Sequence, residues 1–333
     1  MFCSNCGNKI TTTSKLCSVC GYKTNIKKTT QKPIKNTDED IENESSDDKN
    51  DFVDKYLKNP LIRLRLEKEC SAFDLSLNDI LEKVGKKYFL LADCLYSKKD
   101  YKQAISYSEK YNEINKNGLS QYLIAQSYVQ LATSDKDEYV LDSFNDNMEA
   151  AFPIIESLKS ENDMGKFLIF KLKGRFFSLQ ADYFGLMAKY NISSEFGDGK
   201  KQYRQQKTSL HNAIDSYIES LKYTTDKYKK SEVSFYIGLL YNELDNFEEA
   251  LNYCLQFISI YPEPYSQYID TDEISQIDLS IQICIICYAQ LGDTENCAIT
   301  LSKYLDLHEG EEIEEWLLEV KEACIEEGYD EYF

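Results

Sequence analysis

The stretch that most constrains the fold spans residues 234–262, which read SFYIGLLYNELDNFEEALNYCLQFISIYP. Apolar side chains recur every three or four residues on both sides of an Asp245-Asn246 break, as on one face of an α-helix. Pro262 then ends the second pattern. The stretch predicts two short antiparallel helices. Such a pair is not stable alone, so it needs stacked neighbours to bury its remaining apolar flank.

Weaker copies of this pattern occur elsewhere in the chain. One copy has its first helix, with Ala92, before a Lys-Lys-Asp turn and its second helix, with Tyr101 and Ala104, after that turn. Another contains Tyr288 and Gly292, although a cysteine stands where its second helix should carry alanine. The segment around Ala125 resembles a further first helix. The chain therefore carries a degenerate series of helix pairs.

These units resemble the tetratricopeptide repeat (TPR). That family places a small residue and an aromatic on its first helix, an aromatic and alanine on its second, and often a closing proline. The best-formed unit matches at Gly238, Tyr241, Phe247, Ala250 and Pro262. The resemblance implies an all-α, TPR-like α-solenoid of antiparallel helix pairs over residues 52–333. Its groove, lined by the first helices, would hold a peptide or helix of a partner protein.

Several longer helices fill the rest of this domain. The sequence predicts helices over residues 61–70, 76–98 with Ser76 as N-cap, 138–159 with a kink at Pro153, 163–190, and 200–225. Residues 191–199 have the composition of a loop. A final helix over 311–327 predicts a terminal cap whose inner side carries Trp316, Leu317, Val320 and Cys324.

The helix over 163–190 is unusually aromatic, and two interpretations are open. Six rings could be buried between helix layers, or they could line a groove for an aromatic ligand. The six are Phe167, Phe170, Phe176, Phe177, Tyr183 and Phe184. Burial between layers is the simpler interpretation.

Two CxxCG motifs lie near the N-terminus, with Cys3 and Cys6 in the first and Cys17 and Cys20 in the second. Each pair can turn both sulfurs toward one ion, and the following glycine permits the left-handed backbone that this turn requires. Four thiolates complete the tetrahedral shell of structural zinc. The motifs resemble a small zinc ribbon, predicted over residues 1–23 with a short β-hairpin and one Zn²⁺. Redox dithiols or unliganded cysteines are the alternatives.

Residues 24–51 have no hydrophobic period, and their charge changes sign along the segment. Residues 1–35 hold seven lysines and no acid, whereas residues 36–54 hold nine acids and one lysine. Such a composition buries too little apolar surface to offset the entropy of ordering, so we predict a flexible linker. A charged interaction tail is the alternative.

The overall composition narrows the classes of function. A formal net charge of -19 disfavours broad contact with nucleic acid or anionic membranes. The first residues lack the charged and apolar regions of a secretory signal, and no apolar run is long enough to span a bilayer. Some of the cysteines are clustered and the others are scattered, and in a chain without a secretory signal this distribution indicates a reducing compartment. We therefore predict a cytoplasmic location and no membrane partner.

Motifs that would carry catalysis are scarce. The two histidines, His211 and His308, lie far apart in ordinary helical patterns, and no phosphate-binding or dinucleotide-binding glycine motif occurs. Cys284 and Cys287 have the CxxC spacing of a redox or metal site, but they lie within an apolar helix. Cysteine commonly packs there as a small hydrophobe. The sequence therefore predicts no catalytic residues.

Many TPR domains hold a C-terminal carboxylate with Lys and Asn side chains on their first helices. The matching positions here are Phe89 and Asp93, Phe235 and Leu239, and Gln282 and Ile286. None of them suits an anion, which predicts an apolar or basic ligand. The predicted function is a non-enzymatic protein–protein adaptor. The alternative is a nucleic-acid- or ribosome-associated factor that uses the lysines around the ribbon.

Overall fold

The computed structural model describes residues 56–137, 141–193, 199–261, 273–308 and 313–333. Within these ranges the chain forms thirteen α-helices, one 3₁₀ helix and no strand. This confirms the all-α prediction for the helical region. The predicted ribbon over 1–23, its hairpin, the linker over 24–51 and Pro262 lie outside the described residues.

Most of the helices follow one another with short connections. In chain order they are α1 (Pro60–Ala72), α2 (Leu77–Glu82), α3 (Lys86–Ser97), α4 (Tyr101–Ile114), α5 (Gly118–Asp137), α6 (Leu141–Ser157), α7 (Asp163–Ser193), α8 (Lys200–Leu221), α9 (Lys227–Glu243), α10 (Phe247–Ile258), α11 (Glu273–Leu291), α12 (Thr294–Leu307) and α13 (Glu315–Glu326). The 3₁₀ helix is Asp330–Tyr332.

The chain divides into two compact units. One comprises residues 1–66 and 184–204; its described part holds the start of α1, the end of α7 and the start of α8. The other comprises residues 67–183 and 205–333. All contacts discussed below lie within this second unit, which we call the repeat unit.

The repeat unit contains five successive helix pairs: α3 with α4, α5 with α6, α7 with α8, α9 with α10, and α11 with α12. The first helices α3, α5, α9 and α11 each contact their own second helix, and α4, α10 and α12 each contact the helix that follows. Helices α7, α8 and α9 share one core cluster, which includes Phe167, Tyr217 and Ile237. The arrangement is a TPR-like solenoid of antiparallel helix pairs, as the resemblance implies.

Three of the pairs share the same turn between their helices. One residue of the turn has a left-handed backbone in each: Lys99 (φ 65°), Asp245 (φ 58°) and Gly292 (φ 73°). The next residue caps the second helix, because the side chains of Asp100, Asn246 and Asp293 each accept a hydrogen bond from a backbone N–H three residues later. The weakest predicted unit, with Gly292, thus has the same turn as the strongest.

This shared turn gives a paired prediction. A left-handed backbone costs a non-glycine residue about 1–2 kcal/mol, so Lys99→Gly should stabilise the chain by about 1 kcal/mol. Gly292→Ala should destabilise it by a similar amount, since a Cβ there meets nothing within 4 Å and backbone strain is its only effect. Urea denaturation of both variants measures the two shifts. Shifts of the same sign would contradict the shared geometry.

The C-terminal core confirms the inward side of the predicted cap. Leu317 and Cys324 of α13 are buried in a cluster with Phe257, Ile281 and Leu301. Trp316 and Val320 are partly buried and pack against the same cluster. Helix α13 therefore closes the end of the described array with its apolar side inward.

The predicted helix over 76–98 is wrong as a single element. Gly85 adopts a left-handed backbone (φ 87°) and separates α2 from α3. Ser76 does cap α2, where its hydroxyl accepts a bond of 3.0 Å from the backbone N–H of Asp79. Glycine can adopt either a helical or a left-handed backbone, so the sequence alone does not show that the helix is interrupted at Gly85.

Other predicted boundaries differ by a few residues. Helix α1 begins at Pro60, where a missing N–H costs nothing in the first turn. Helix α7 extends through residues 191–193, for which the sequence predicted a loop. Helix α6 begins at Leu141 and continues through Pro153. The helices predicted over 200–225 and 311–327 are shorter, as α8 and α13 show.

Candidate binding groove

Two of the first helices have a glycine where they contact their second helix. A Cβ on Gly238 of α9 would lie 2.6 Å from Sγ of Cys254 on α10. A Cβ on Gly174 of α7 would lie 2.7 Å from the ring of Tyr217 on α8. Cys254 and Tyr217 each follow a buried alanine by four residues, Ala250 and Ala213 respectively. The pair α7–α8 therefore packs at the same point as the pair α9–α10.

This equivalence locates the candidate groove positions in all five pairs. They lie three residues before and one residue after the position equivalent to Gly238 in each first helix, which is Ala92, Ala125, Gly174, Gly238 or Ile285. We call their common surface the first-helix face. The five sets are Phe89 and Asp93, Tyr122 and Gln126, Lys171 and Arg175, Phe235 and Leu239, and Gln282 and Ile286. Sequence reasoning identified three of these sets and missed those of α5 and α7. The sequence features that could have identified these two sets are Ala125 in α5 and Gly174 in α7.

The three predicted sets do not present cations. Phe89, Asp93 and Phe235 are buried, while Leu239 and Ile286 are partly exposed. The side-chain nitrogen of Gln282 donates to the hydroxyl of Tyr304 over 2.9 Å. What these sets offer at the surface is chiefly apolar.

The cations of α7 are engaged with neighbouring first helices. Lys171 Nζ lies 2.6 Å from Oε1 of Glu232 on α9. Arg175 Nη2 donates to the side-chain oxygens of Gln130 and Thr133 on α5, over 3.3 and 3.4 Å. These contacts connect α5, α7 and α9 side by side. An incoming carboxylate would have to compete with Glu232 for Lys171.

A second ion pair connects two of these helices further along their length. Lys136 Nζ on α5 lies 2.7 Å from Oδ2 of Asp182 on α7, with both side chains about one third exposed or less (34% and 27%). Partly exposed pairs of this kind contribute little to stability, about 0–1 kcal/mol. Their effect on the first-helix face is to neutralise its charges locally.

Three buried or partly buried tyrosines lie at or beside this surface. Burial raises the pKa of Tyr96 to about 12, and burial likewise raises the pKa of Tyr236, which also lies near Glu232. The pKa of Tyr122 is raised well above its ordinary value by burial, with Glu69 and Tyr96 adding to the effect. All three phenols keep their protons at neutral pH and can donate hydrogen bonds there.

The aromatic side chains of α7 pack within the protein. Phe167 and Phe176 are buried. Phe170 stacks on Tyr223 with ring centroids 5.7 Å apart, and Tyr183 stacks on Phe144 at 5.5 Å. These contacts agree with burial between helix layers rather than with a groove for an aromatic ligand.

Cys284 and Cys287 are also core residues. Both are buried in a cluster with Cys254, Ala250 and Ile283 between α10 and α11. A side-chain hydrogen bond with Cys254 and burial raise the pKa of the Cys284 thiol strongly, and burial raises the pKa of Cys287 to about 12. Thiols in this state are poor nucleophiles at neutral pH. The packing interpretation therefore agrees with their surroundings.

The two histidines occupy different settings. His211 is exposed on α8. His308 Nε2 lies 2.7 Å from Oδ1 of Asp278, and its ring lies 4.5 Å from that of Tyr304. His308 therefore links the end of α12 to α11, which is a structural role. In the described ranges, no group of three or more His, Cys, Asp or Glu side chains is arranged to hold a metal ion.

Family models match three segments of the chain. A zinc-ribbon domain model matches residues 2–24, and a tetratricopeptide repeat model matches residues 232–264, which contain most of α9 and all of α10. A model described as anaphase-promoting complex, cyclosome, subunit 3, matches residues 82–143, which contain α3 to α5. The chain is a zinc-ribbon module fused to a TPR-like domain. Cys3, Cys6, Cys17 and Cys20 all fall within the ribbon match but outside the described residues.

Comparisons with whole proteins add little to this identification. The curated proteins gave no match. Among solved structures, a thermophilic TPR protein from Thermus thermophilus is similar at 11% identity and a TM-score of 0.37, over 73% of this chain and 98% of that chain. A TM-score this low does not bear on the fold. Among the described helices of the TPR-like domain, none has the length and apolar character needed to cross a bilayer.

Proposed function

We propose that this chain is a non-enzymatic, cytoplasmic adaptor in which the TPR-like domain binds a peptide or helix of a partner protein. The observation that carries the proposal is the stack of first helices, with α5, α7 and α9 connected by Arg175 and Lys171. Stacked repeats of this kind bury their own cores and leave a continuous side for recognition. The ribbon contributes one structural Zn²⁺ bound by its four cysteines.

The groove ligand in this proposal is apolar or basic. Leu239 and Ile286 offer partly exposed apolar surface on α9 and α11. Lys171 is already paired with Glu232, so it does not offer a free charge to an acidic ligand. The net charge of -19 favours association with basic segments.

Selection from a random peptide display library tests the groove and its preference. We expect enrichment of apolar or basic sequences. Synthetic versions of the selected peptides should bind the double variant Leu239→Ser/Ile286→Ser at least tenfold more weakly, because their apolar contacts are lost. Leu255→Ser on α10 is the matched control, since this leucine is 43% exposed on a second helix. Preference for acidic C-terminal peptides would overturn the proposed ligand chemistry.

Contact with nucleic acid through the ribbon is the second candidate function, and the seven lysines of residues 1–35 favour it. Phosphate contacts release counterions, so such binding should weaken steeply as salt rises. It should also disappear when residues 1–35 are removed. Salt-insensitive binding, or none, would exclude this candidate.

A further inference from the structure

The C-terminal part of α1 and the residue that follows it, together residues 67–73, lie against the first-helix face. Cys70 and Ala72 are fully buried, and Phe73 nearly so. The backbone after this segment turns at Asp74, which has a left-handed conformation (φ 59°) and ends the helix. A helix of the chain itself therefore covers part of the surface on which the proposed function depends.

The end of this segment contacts the start of α7. The Ser160 hydroxyl donates to the carbonyl oxygen of Ala72 over 2.8 Å. A Cβ on Gly165 would lie 2.0 Å from the same oxygen, so only glycine permits this approach. The segment thus docks where α7 begins.

The aromatic residue of the segment contacts α5. Phe73 and Tyr122 have ring centroids 5.3 Å apart. A Cβ on Gly118 would lie 2.9 Å from Cδ1 of Phe73, so α5 also begins with a residue that leaves room for the segment. Tyr122 is the groove position of α5, which places Phe73 on the first-helix face itself.

Charged residues of the segment lie close to α3, α5 and α9. Burial, Glu69 and Asp93 of α3 together raise the pKa of the Cys70 thiol to about 12. Glu69 also lies near Tyr122 and Tyr96. Lys229 on α9 has a lowered pKa because of burial, and Lys68 and Lys171 are among its neighbours. The segment therefore contacts α5 and the start of α7, and it brings charged side chains near α3 and α9.

We propose that the first-helix face is a receptor for an α-helix, that residues 67–73 are its resident ligand, and that a partner helix of the same chemistry binds by displacing them. This inference rests on the proposed function and specifies its ligand as helical. A fitting helix carries small residues that face the first helices and an aromatic residue at the end that meets Tyr122.

Two features govern exchange of the resident segment. Docking brings Lys68 near Lys229, which also has Asp226 and Glu232 as neighbours, and it brings Glu69 and Asp93 near the same thiol, so like charges approach each other around Cys70. The segment is also tethered, and a short tether gives an intramolecular ligand an effective concentration on the order of millimolar. A partner helix must overcome that concentration, which keeps the face covered until a well-matched helix is present.

Thiol labelling of the full chain tests the exchange. N-ethylmaleimide is added to the native protein, and mass spectrometry maps which cysteines react. Cys70 reports release of the segment, while the buried Cys254, Cys284 and Cys287 report opening of the core. We expect Cys70 to react at least tenfold faster than these three, because local release needs less free energy than unfolding of the core.

A peptide of residues 60–75 with Cys70→Ser serves as the displacing helix. An excess should accelerate labelling of Cys70 severalfold and leave Cys254 unchanged. The same peptide with Phe73→Asp should have no effect. In the full chain, Phe73→Ala should accelerate Cys70 labelling without peptide, and Leu61→Ala, on a side chain that is 74% exposed, is the matched control.

Two results would overturn the inference: labelling of Cys70 at the same rate as Cys254, or no acceleration by the peptide. Neither bears on whether library peptides depend on Leu239 and Ile286, so failure here is distinguishable from failure of the proposed function.

Discussion

Phe257→Ala is expected to destabilise the chain by about 3–5 kcal/mol, the cost typical of deleting a fully buried phenylalanine. Phe257 has no exposed surface, and its ring lies 5.2 Å from both Phe235 and Tyr261. It belongs to the core cluster that joins α9 and α10 to α11, α12 and α13. The substitution therefore leaves a cavity where four helices meet α10. Urea denaturation followed by far-UV circular dichroism measures the loss.

Leu255→Ala is the matched control for this substitution. Leu255 lies on the same helix two residues earlier, and 43% of its surface is exposed. We expect a change of about 1 kcal/mol or less, since little apolar surface returns to water. Because repeat arrays can unfold in more than one step, the transition should be resolved by several probes. Similar losses in both variants would contradict the assigned orientation of α10.

The sequence predicted the helix pairs best where the two helices are closely spaced. Gly238 and Ala250 lie twelve residues apart, and the turn between them has the cap Asn246. A helical period on each side of such a turn leaves antiparallel packing as the only way to bury both faces. The same reasoning found the pair with Ala92 and its cap Asp100. Local signals were sufficient in these units.

The pair α7–α8 was missed because its equivalent residues are far apart. Gly174 and Ala213 lie thirty-nine residues apart, since α7 continues to Ser193 before α8 begins. A search for family spacing fails there, although the contact between Gly174 and Tyr217 is the same as that between Gly238 and Cys254. As a result, sequence reasoning overlooked Lys171 and Arg175 as groove positions.

The position of α1 could not be predicted from the sequence, for a different reason. Ala72 and Ser160 are separated by eighty-eight residues, and no local sequence pattern in either segment predicts the hydrogen bond between them. The glycines at 118 and 165 could have been noticed, because glycine at the start of a helix often marks a close approach. The sequence alone does not identify which residues lie against these two glycines. Contacts between residues so far apart in the sequence can be identified only from the tertiary structure.

Loss of zinc is the second large effect we expect. Four thiolates bind structural Zn²⁺ with an apparent free energy of about 10–16 kcal/mol in zinc-finger peptides, and a module of some twenty residues has almost no core of its own. We therefore expect one zinc per purified chain by inductively coupled plasma mass spectrometry, and its loss in Cys3→Ser or Cys20→Ser. Cys324→Ala is the matched control, since this cysteine is buried in α13 and is not a predicted ligand.

Zinc loss should leave the helical signal intact. The predicted ligands, Cys3, Cys6, Cys17 and Cys20, precede the first described helix by forty residues or more, so none of them can cap or pack that helix through local contacts. Far-UV circular dichroism of Cys3→Ser should therefore match that of the unaltered chain. A zinc-free protein purified without chelator, or a Cys3→Ser variant that retains its zinc, would refute the four-cysteine site. A large loss of helix in that variant would instead show that the ribbon supports the fold of the TPR-like domain, because only then would metal binding be coupled to helix formation.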